Sequence, residues 1–158
     1  MIVIADSSAL VALSLCQSLQ LLDRLFGDIF VPKSVYEEVI FKGKPEAEAL
    51  DEYLQMKVKS VSMENYPVQN TANLGRGELE AIALYMDIDA DLLIIDDARA
   101  KKAAYANGLE VMGSIGVLLL AKERGLIKAI QPLLNLLNAS DIHLSSTIIN
   151  KALELAGE

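Results

Sequence analysis

Two short, unbroken apolar runs in this chain each end in aspartate. Met1-Ile2-Val3-Ile4-Ala5 leads into Asp6, and Leu92-Leu93-Ile94-Ile95 leads into Asp96 and Asp97. Runs this short, apolar at every position and bounded by polar residues, read as strands buried on both faces, as in a parallel sheet. Open parallel sheets bind ligands beyond the carboxyl ends of their strands. A carboxylate gains nothing from packing there, so its placement speaks for function. Glu38 and Glu78, near the starts of two intervening helices, are placed to join the cluster. Acids that converge without basic partners repel one another, and the usual resolution is a hard divalent cation bound through oxygen.

The rest of the chain alternates strands with helices. Ser7-Ser8 is a capping pair for a helix from about Ala9 whose apolar residues continue to Phe26, with Gly27 as its stop. Ile29-Phe30-Val31 is the next strand, and Pro32 opens a helix carrying Glu38. A helical stretch follows from Lys44-Pro45 to Met56. Val58 to Ser62 alternates apolar and polar residues as an edge strand does, and Glu64 to Gly77 reads as an irregular connection. A helix from Glu78 to about Met86 precedes the Leu92–Ile95 strand. The Ala-rich segment from Asp97 to Ala106 is helical and ends at Asn107-Gly108. Leu109 to Met112 is a fifth strand, followed by helices over 114–124, 128–137 and 145–156. This alternation implies right-handed crossovers and helices on both faces of a five-stranded, mainly parallel sheet: an α/β fold in three α/β/α layers. The 158 residues suit one domain, with the helices from about 128 to 158 packed on it.

Composition narrows the chemistry. There is one histidine and one cysteine, so Ser–His triads, Cys–His dyads and a Cys/His zinc site lack their parts. Cys16, among Leu13, Leu15 and Leu19, reads as a buried inert thiol, and His143 as a turn residue. No phosphate-binding P-loop sequence is present. Gly113-Ser114-Ile115-Gly116 reads as a tight strand-to-helix turn with close backbone packing. No signal segment or membrane span is recognisable, which makes a cytoplasmic location, with no membrane partner, the default expectation. The formal charge of −8, from 22 acidic and 14 basic residues, argues against a general nucleic-acid binder. It leaves room for an enzyme with a local basic rim and metal-neutralised acids, and for a basic protein partner. A haloacid-dehalogenase-like phosphotransferase needs Asp-x-Asp after the first strand, where this chain has Asp6-Ser7-Ser8. A phospho-receiver needs its acid pair after the first strand, whereas here the pair follows the fourth. Metal-assisted phosphodiester hydrolysis lacks nothing.

In order, the segments DSSALVAL, VPKSVYEEV, LGRGELEAIAL, LLIIDDARAKKAA and GSIGVLLLAKERGLI resemble a PIN-domain protein over nearly the whole length. The resemblance implies a PIN-like α/β/α fold with a central parallel sheet and a ribonuclease site dependent on Mg²⁺ or Mn²⁺. It also implies kinship with the toxin half of toxin–antitoxin pairs, so the expected partners are RNA, a small antitoxin protein and a second copy of the chain. By position, Asp6 matches the first-strand metal ligand and Ser8 the hydroxyl residue that supports it. Glu38, Glu78 and the Asp96-Asp97 pair match the remaining acids. Many relatives have Thr-x-Asp where this chain has Ile95-Asp96-Asp97, so the register between Asp96 and Asp97 stays open. Lys101 stands where relatives often have Arg.

Each acid also has a scaffold role to weigh. Asp6 can cap the first helix, but Ser7 and Ser8 can do so instead and leave Asp6 for metal. Glu37 pairs by spacing with Lys33, leaving Glu38 as the more inward acid. Glu78 suits the positive end of its helix even without metal. Glu80 faces elsewhere and reads as solvated. One of Asp96 and Asp97 caps the Ala98 helix, and the other is then free for metal. Arg99 and Lys102 form a basic strip beside Lys101 for phosphate contact, with Lys33, Lys42 and Arg76 on neighbouring segments. The broad apolar faces of the last helices suggest self-association as a homodimer. The second reading is a PIN fold kept as a protein-binding module without catalysis.

Overall fold

The computed structural model describes residues 1–41, 43–69 and 71–158; Lys42, named above as a candidate cation, lies outside them. Five parallel strands, β1 Ile2–Ala5, β2 Asp28–Pro32, β3 Val58–Lys59, β4 Leu92–Ile94 and β5 Val111–Met112, form one sheet in the order β3-β2-β1-β4-β5. The nine helices among the described residues are α1 Ser7–Leu15, α2 Gln20–Phe26, α3 Lys33–Val39, α4 Ala47–Leu54, α5 Arg76–Asp87, α6 Ala98–Ala106, α7 Ser114–Glu123, α8 Gln131–Ala139 and α9 Ser146–Leu155. The expected α/β/α sandwich is the observed one.

Strand alternation divides the core in two. Val3, Ala5, Ile29, Val31, Leu92 and Ile94 pack into the cluster beneath α1, α2 and α7. Ile4, Leu93 and Ile95 face the opposite cluster, with residues of α5 and α6. Successive side chains of a strand point to opposite faces, so strands covered on both sides are apolar at every position. That is why the runs at β1 and β4 contain no polar residue. The order reverses at β1: β2 follows on one side, while the chain crosses after β3 to lay β4 on the other. This reversal makes the carboxyl ends of β1 and β4 the topological switch point, where a crevice opens.

The single helix expected from Ala9 to Phe26 is two helices bent by 114°. Gln17 takes a left-handed φ of 56°, and Ser18 closes the corner by donating from Oγ to the Cys16 carbonyl at 2.9 Å. Both halves are apolar because both are buried, so the hydrophobic pattern runs through the corner without registering it. The edge strand is shorter than its alternation suggested, with only Val58 and Lys59 paired to β2. Arg76, rather than Glu78, begins α5. Helix α8 packs on α1, and α9 on α7. Glu158 holds the last turns down: its carboxylate accepts from the Ile130 N–H at 2.8 Å, the Gln131 N–H at 3.2 Å and Lys122 Nζ at 2.9 Å. No single helix among the described residues is long and apolar enough to cross a membrane.

Candidate active site

The switch-point crevice is a cleft of about 480 Å³ whose lining includes Ser8, Glu38, Lys44, Glu78, Asp96 and Asp97. A second depression of about 440 Å³ shares Ser7, Glu38 and Glu78 with it and adds Ser34 and Arg76. Asp6 lies next to Ser7 and Ser8 but is itself buried, only 1% exposed.

Asp6 supplies both a cap and an unsatisfied anion. Its Oδ2 accepts from the Ser8 N–H at 3.4 Å and from Ser8 Oγ at 3.0 Å, which makes Asp6, not Ser7 or Ser8, the N-cap of α1. Ser7 and Ser8 are already helical, and a cap must precede the helix with extended backbone, as Asp6 does. Its other oxygen, Oδ1, is buried without a partner. Burial is the main reason its carboxyl is pushed up to about 6 from 3.8; the Ser8 hydrogen bonds oppose this, and the charge of Glu78 adds to it. Ser8 ties the two strand ends together, because its Oγ also accepts from the Asp96 N–H at 3.0 Å.

Of Asp96 and Asp97, the N-cap of α6 is the second, its Oδ1 accepting from the Ala100 N–H at 2.9 Å. The Asp96 carboxylate is held at the start of α7, where Oδ1 accepts from the Ser114 N–H and Oδ2 from Ser114 Oγ, both at 2.7 Å. It is therefore not a free carboxylate. Gly113 makes this possible: a Cβ there would lie 2.8 Å from Asp96 Oδ1 and 3.1 Å from Lys101 Nζ. Ser114, 96% buried, is a site residue that the sequence reading missed. Close packing was expected of its Gly-Ser-Ile-Gly turn, but nothing local pairs Ser114 with Asp96, 18 residues earlier.

Glu78 reaches back to accept the Gly75 N–H at 2.8 Å, satisfying a donor at the start of α5. Glu38 is exposed, and Gly77 leaves room beside it, since a Cβ there would lie 3.2 Å from Glu38 Oε2. Glu37 pairs with Lys33 at 3.9 Å as its spacing predicted. Glu80 is not solvated. It is buried, with Oε2 accepting from Arg76 Nε at 2.6 Å one turn away, because its face of α5 turns into the fold.

A PIN-domain family model matches residues 2–158. This chain belongs to the PIN-domain family. PIN domains are in general nucleases that act on nucleic acid and use divalent metals. No curated protein and no solved structure shows significant similarity to the chain.

In this PIN domain the acids share one crevice but do not meet in one cage. Among the described residues, no three acidic, His or Cys side chains are grouped closely enough to hold a metal ion. Asp96 is turned to Ser114 and Glu78 to Gly75, so internal donors take up charge that a cation would otherwise neutralise. The donor set still suits a hard divalent cation. Every candidate ligand atom is a carboxylate oxygen, and the buried, unpartnered Oδ1 of Asp6 is an acceptor in need of a positive partner. Of the expected cations, Arg99 and Lys102 are exposed on α6 and absent from the cleft wall, and Arg99 Nη2 lies 3.8 Å from Asp97 Oδ2. Lys101 instead turns toward Gly113 and lines an apolar depression of about 320 Å³ that also includes Asp96, Ser114 and Ile148. The one basic side chain of the described residues that lines the acid cleft is Lys44, which was not among the expected phosphate contacts.

Proposed function

We propose that this PIN domain is a metal-dependent ribonuclease hydrolysing RNA phosphodiester bonds, with Asp6, Glu38, Glu78 and Asp96 holding Mg²⁺ or Mn²⁺ and Asp97 beside them. The observation that carries this reading is the buried Asp6 carboxylate with one oxygen unpartnered, at the switch point of the sheet and beside a cleft lined by four further acids. When bound, the cation would supply an activated water and charge stabilisation for the leaving oxygen. The chain's own residues provide placement. Ser8 fixes Asp6 relative to the Asp96 backbone, and Ser114 fixes the Asp96 carboxylate. Asp97, spent on its helix, sets where α6 begins and hence where Asp96 sits. Glu38, exposed at the cleft wall, and Glu78, which would have to give up the Gly75 N–H, reach the site on longer side chains.

The resemblance to the toxin half of toxin–antitoxin pairs is the support for a small antitoxin as partner. Exposed Leu136, Ile148 and Leu155 on the last helices support a homodimer. The second reading, a protein-binding module without turnover, draws on one observation: the acids are engaged by internal donors and not gathered. The deciding experiment is Mn²⁺-dependent cleavage of single-stranded RNA by the wild type, Asp6→Asn and Asp96→Asn, with folding checked in parallel. Loss of cleavage in folded variants is expected. Full Mn²⁺-dependent cleavage by a well-folded Asp6→Asn protein would sink the mechanism, and a folded wild type inert in Mn²⁺ would favour the binding module.

A further inference from the structure

An RNA strand that approaches this cleft meets Glu38, Glu78, Asp96 and Asp97 on its walls. Carboxylates at that density repel phosphate, and a cation among them neutralises only part of their charge. Something must hold the backbone on either side of the reacting bond. The basic strip of α6 does not line the cleft. Lys44 does, from the loop that joins α3 to α4, and no ion pair among the described residues engages it. The same loop carries Phe41, 69% exposed. Phe41 stands between Val39 and Lys44 in sequence, and both of those line the cleft. An exposed aromatic ring thus lies three residues from an ammonium that no ion pair among the described residues engages. Together they are the chemistry that grips a single strand, with the ring stacking on an unpaired base and the ammonium on a phosphate oxygen.

We propose that Phe41 and Lys44, both between α3 and α4, are the substrate-holding residues of this site, with Lys44 contacting a backbone phosphate next to the scissile one and Phe41 stacking on an unpaired base. This rests on the nuclease reading above and deepens it, because stacking on Phe41 demands a splayed base and so selects single strands over duplex. Neither residue touches the reacting atoms, so both are positioning residues. Their loss falls on KM and leaves kcat in place.

The test uses the full-length protein and a fluorescein-labelled single-stranded oligouridylate. Binding is followed by anisotropy in Ca²⁺ over a range of salt, and cleavage kinetics are followed in Mn²⁺. Lys44→Ala should raise Kd and KM several-fold with kcat unchanged. It should also reduce the slope of log K against log salt by about 0.7, the loss of one single-strand phosphate contact. Lys44→Arg should restore both. Phe41→Ala should weaken binding about tenfold, within the range of one lost base stack, with the salt slope unchanged. Lys128→Ala, between α7 and α8, should change nothing. If the wild type binds and cleaves while Lys44→Ala keeps its affinity and slope, the phosphate role of Lys44 is overturned and the nuclease reading survives. Equal binding of a fully paired RNA duplex overturns the stacking role of Phe41. A wild type that neither binds nor cleaves overturns the nuclease reading and this inference with it.

Discussion

Replacing Asp6 with Asn separates the two demands placed on that residue. In the metal-free protein, burial raises the Asp6 carboxyl from 3.8 to about 6. An acid whose pKa is higher folded than unfolded leaves the native state holding more protons between those values. Stability contributed by this group therefore falls as pH rises from about 4 to 6. About two pKa units correspond to about 3 kcal/mol of penalty once the acid is fully ionised. Asn keeps the size of the side chain and a carbonyl oxygen for Ser8, but it cannot ionise. Its amide N–H₂ would fall where Oδ1 has no partner, which takes back about 1–2 kcal/mol. The net expectation at pH 7.5 in EDTA is a gain of about 1–2 kcal/mol, or roughly 2–8 °C in Tm for a domain of this size. That gain should shrink to little or reverse by pH 4, where the folded wild-type acid is protonated and most of its ionisation penalty is gone. In Mn²⁺ the order should invert, since only the wild type keeps the anionic ligand. Thermal unfolding by circular dichroism from pH 4 to 8, in EDTA and in Mn²⁺, reads all three arms, and the difference between the proteins isolates Asp6 from other titrating acids. An Asp6→Asn protein that is less stable than wild type at pH 7.5 in EDTA, by a margin independent of pH, would refute the reasoning. It would show that ionising Asp6 carries no penalty in the fold and that its contribution to the helix start does not depend on its charge.

Other perturbations probe the neighbouring contacts. Saturating Mn²⁺ at 100 times its Kd should stabilise the wild type by about 2.7 kcal/mol, and an unchanged calorimetric Tm would count against metal binding. Ser114→Ala removes the hydroxyl donor to Asp96 Oδ2 and keeps the backbone one; it should cost about 1–2 kcal/mol in urea unfolding and reduce cleavage further than the lost stability explains. Gly113→Ala places a Cβ 2.8 Å from Asp96 Oδ1; it should cost about 1–3 kcal/mol by overpacking and displace Asp96, so that activity falls more than Tm, and unaltered cleavage would show that Asp96 need not sit against Ser114. Glu158→Gln should lower Tm at pH 7, because the Ile130 N–H and Lys122 hold its carboxyl below the usual 4.5. That contribution is present above 4.5 and lost as pH falls through the lower folded value, so the two proteins should converge in acid.

What the residues determine by themselves is local. Two apolar runs with no polar face require strands covered on both sides, and a helix-length segment after each requires parallel crossovers. Asp6 and Asp96-Asp97 therefore had to fall at the carboxyl edge of a sheet, and five segments in order were enough to point to the family. That one of Asp96 and Asp97 caps α6, and the Lys33–Glu37 pair, were also readable, because capping and i,i+4 contacts depend on spacing alone; which of the two aspartates caps was not. Only the tertiary structure decided the rest. The corner at Gln17 was hidden because both of its arms are buried, and hydrophobic periodicity reports burial and not direction. Glu80 read as solvated because spacing within a helix does not reveal which flank meets the fold. The strand order β3-β2-β1-β4-β5 sets β1 beside β4 and lets Ser8 accept from the Asp96 N–H, 88 residues away. It also brings Ser114 onto Asp96 and Lys44 to the cleft wall. Such partners share no local pattern. They are chosen by how twisted layers pack, so a sequence can place each carboxylate at the edge of the sheet without showing which donor will hold it there.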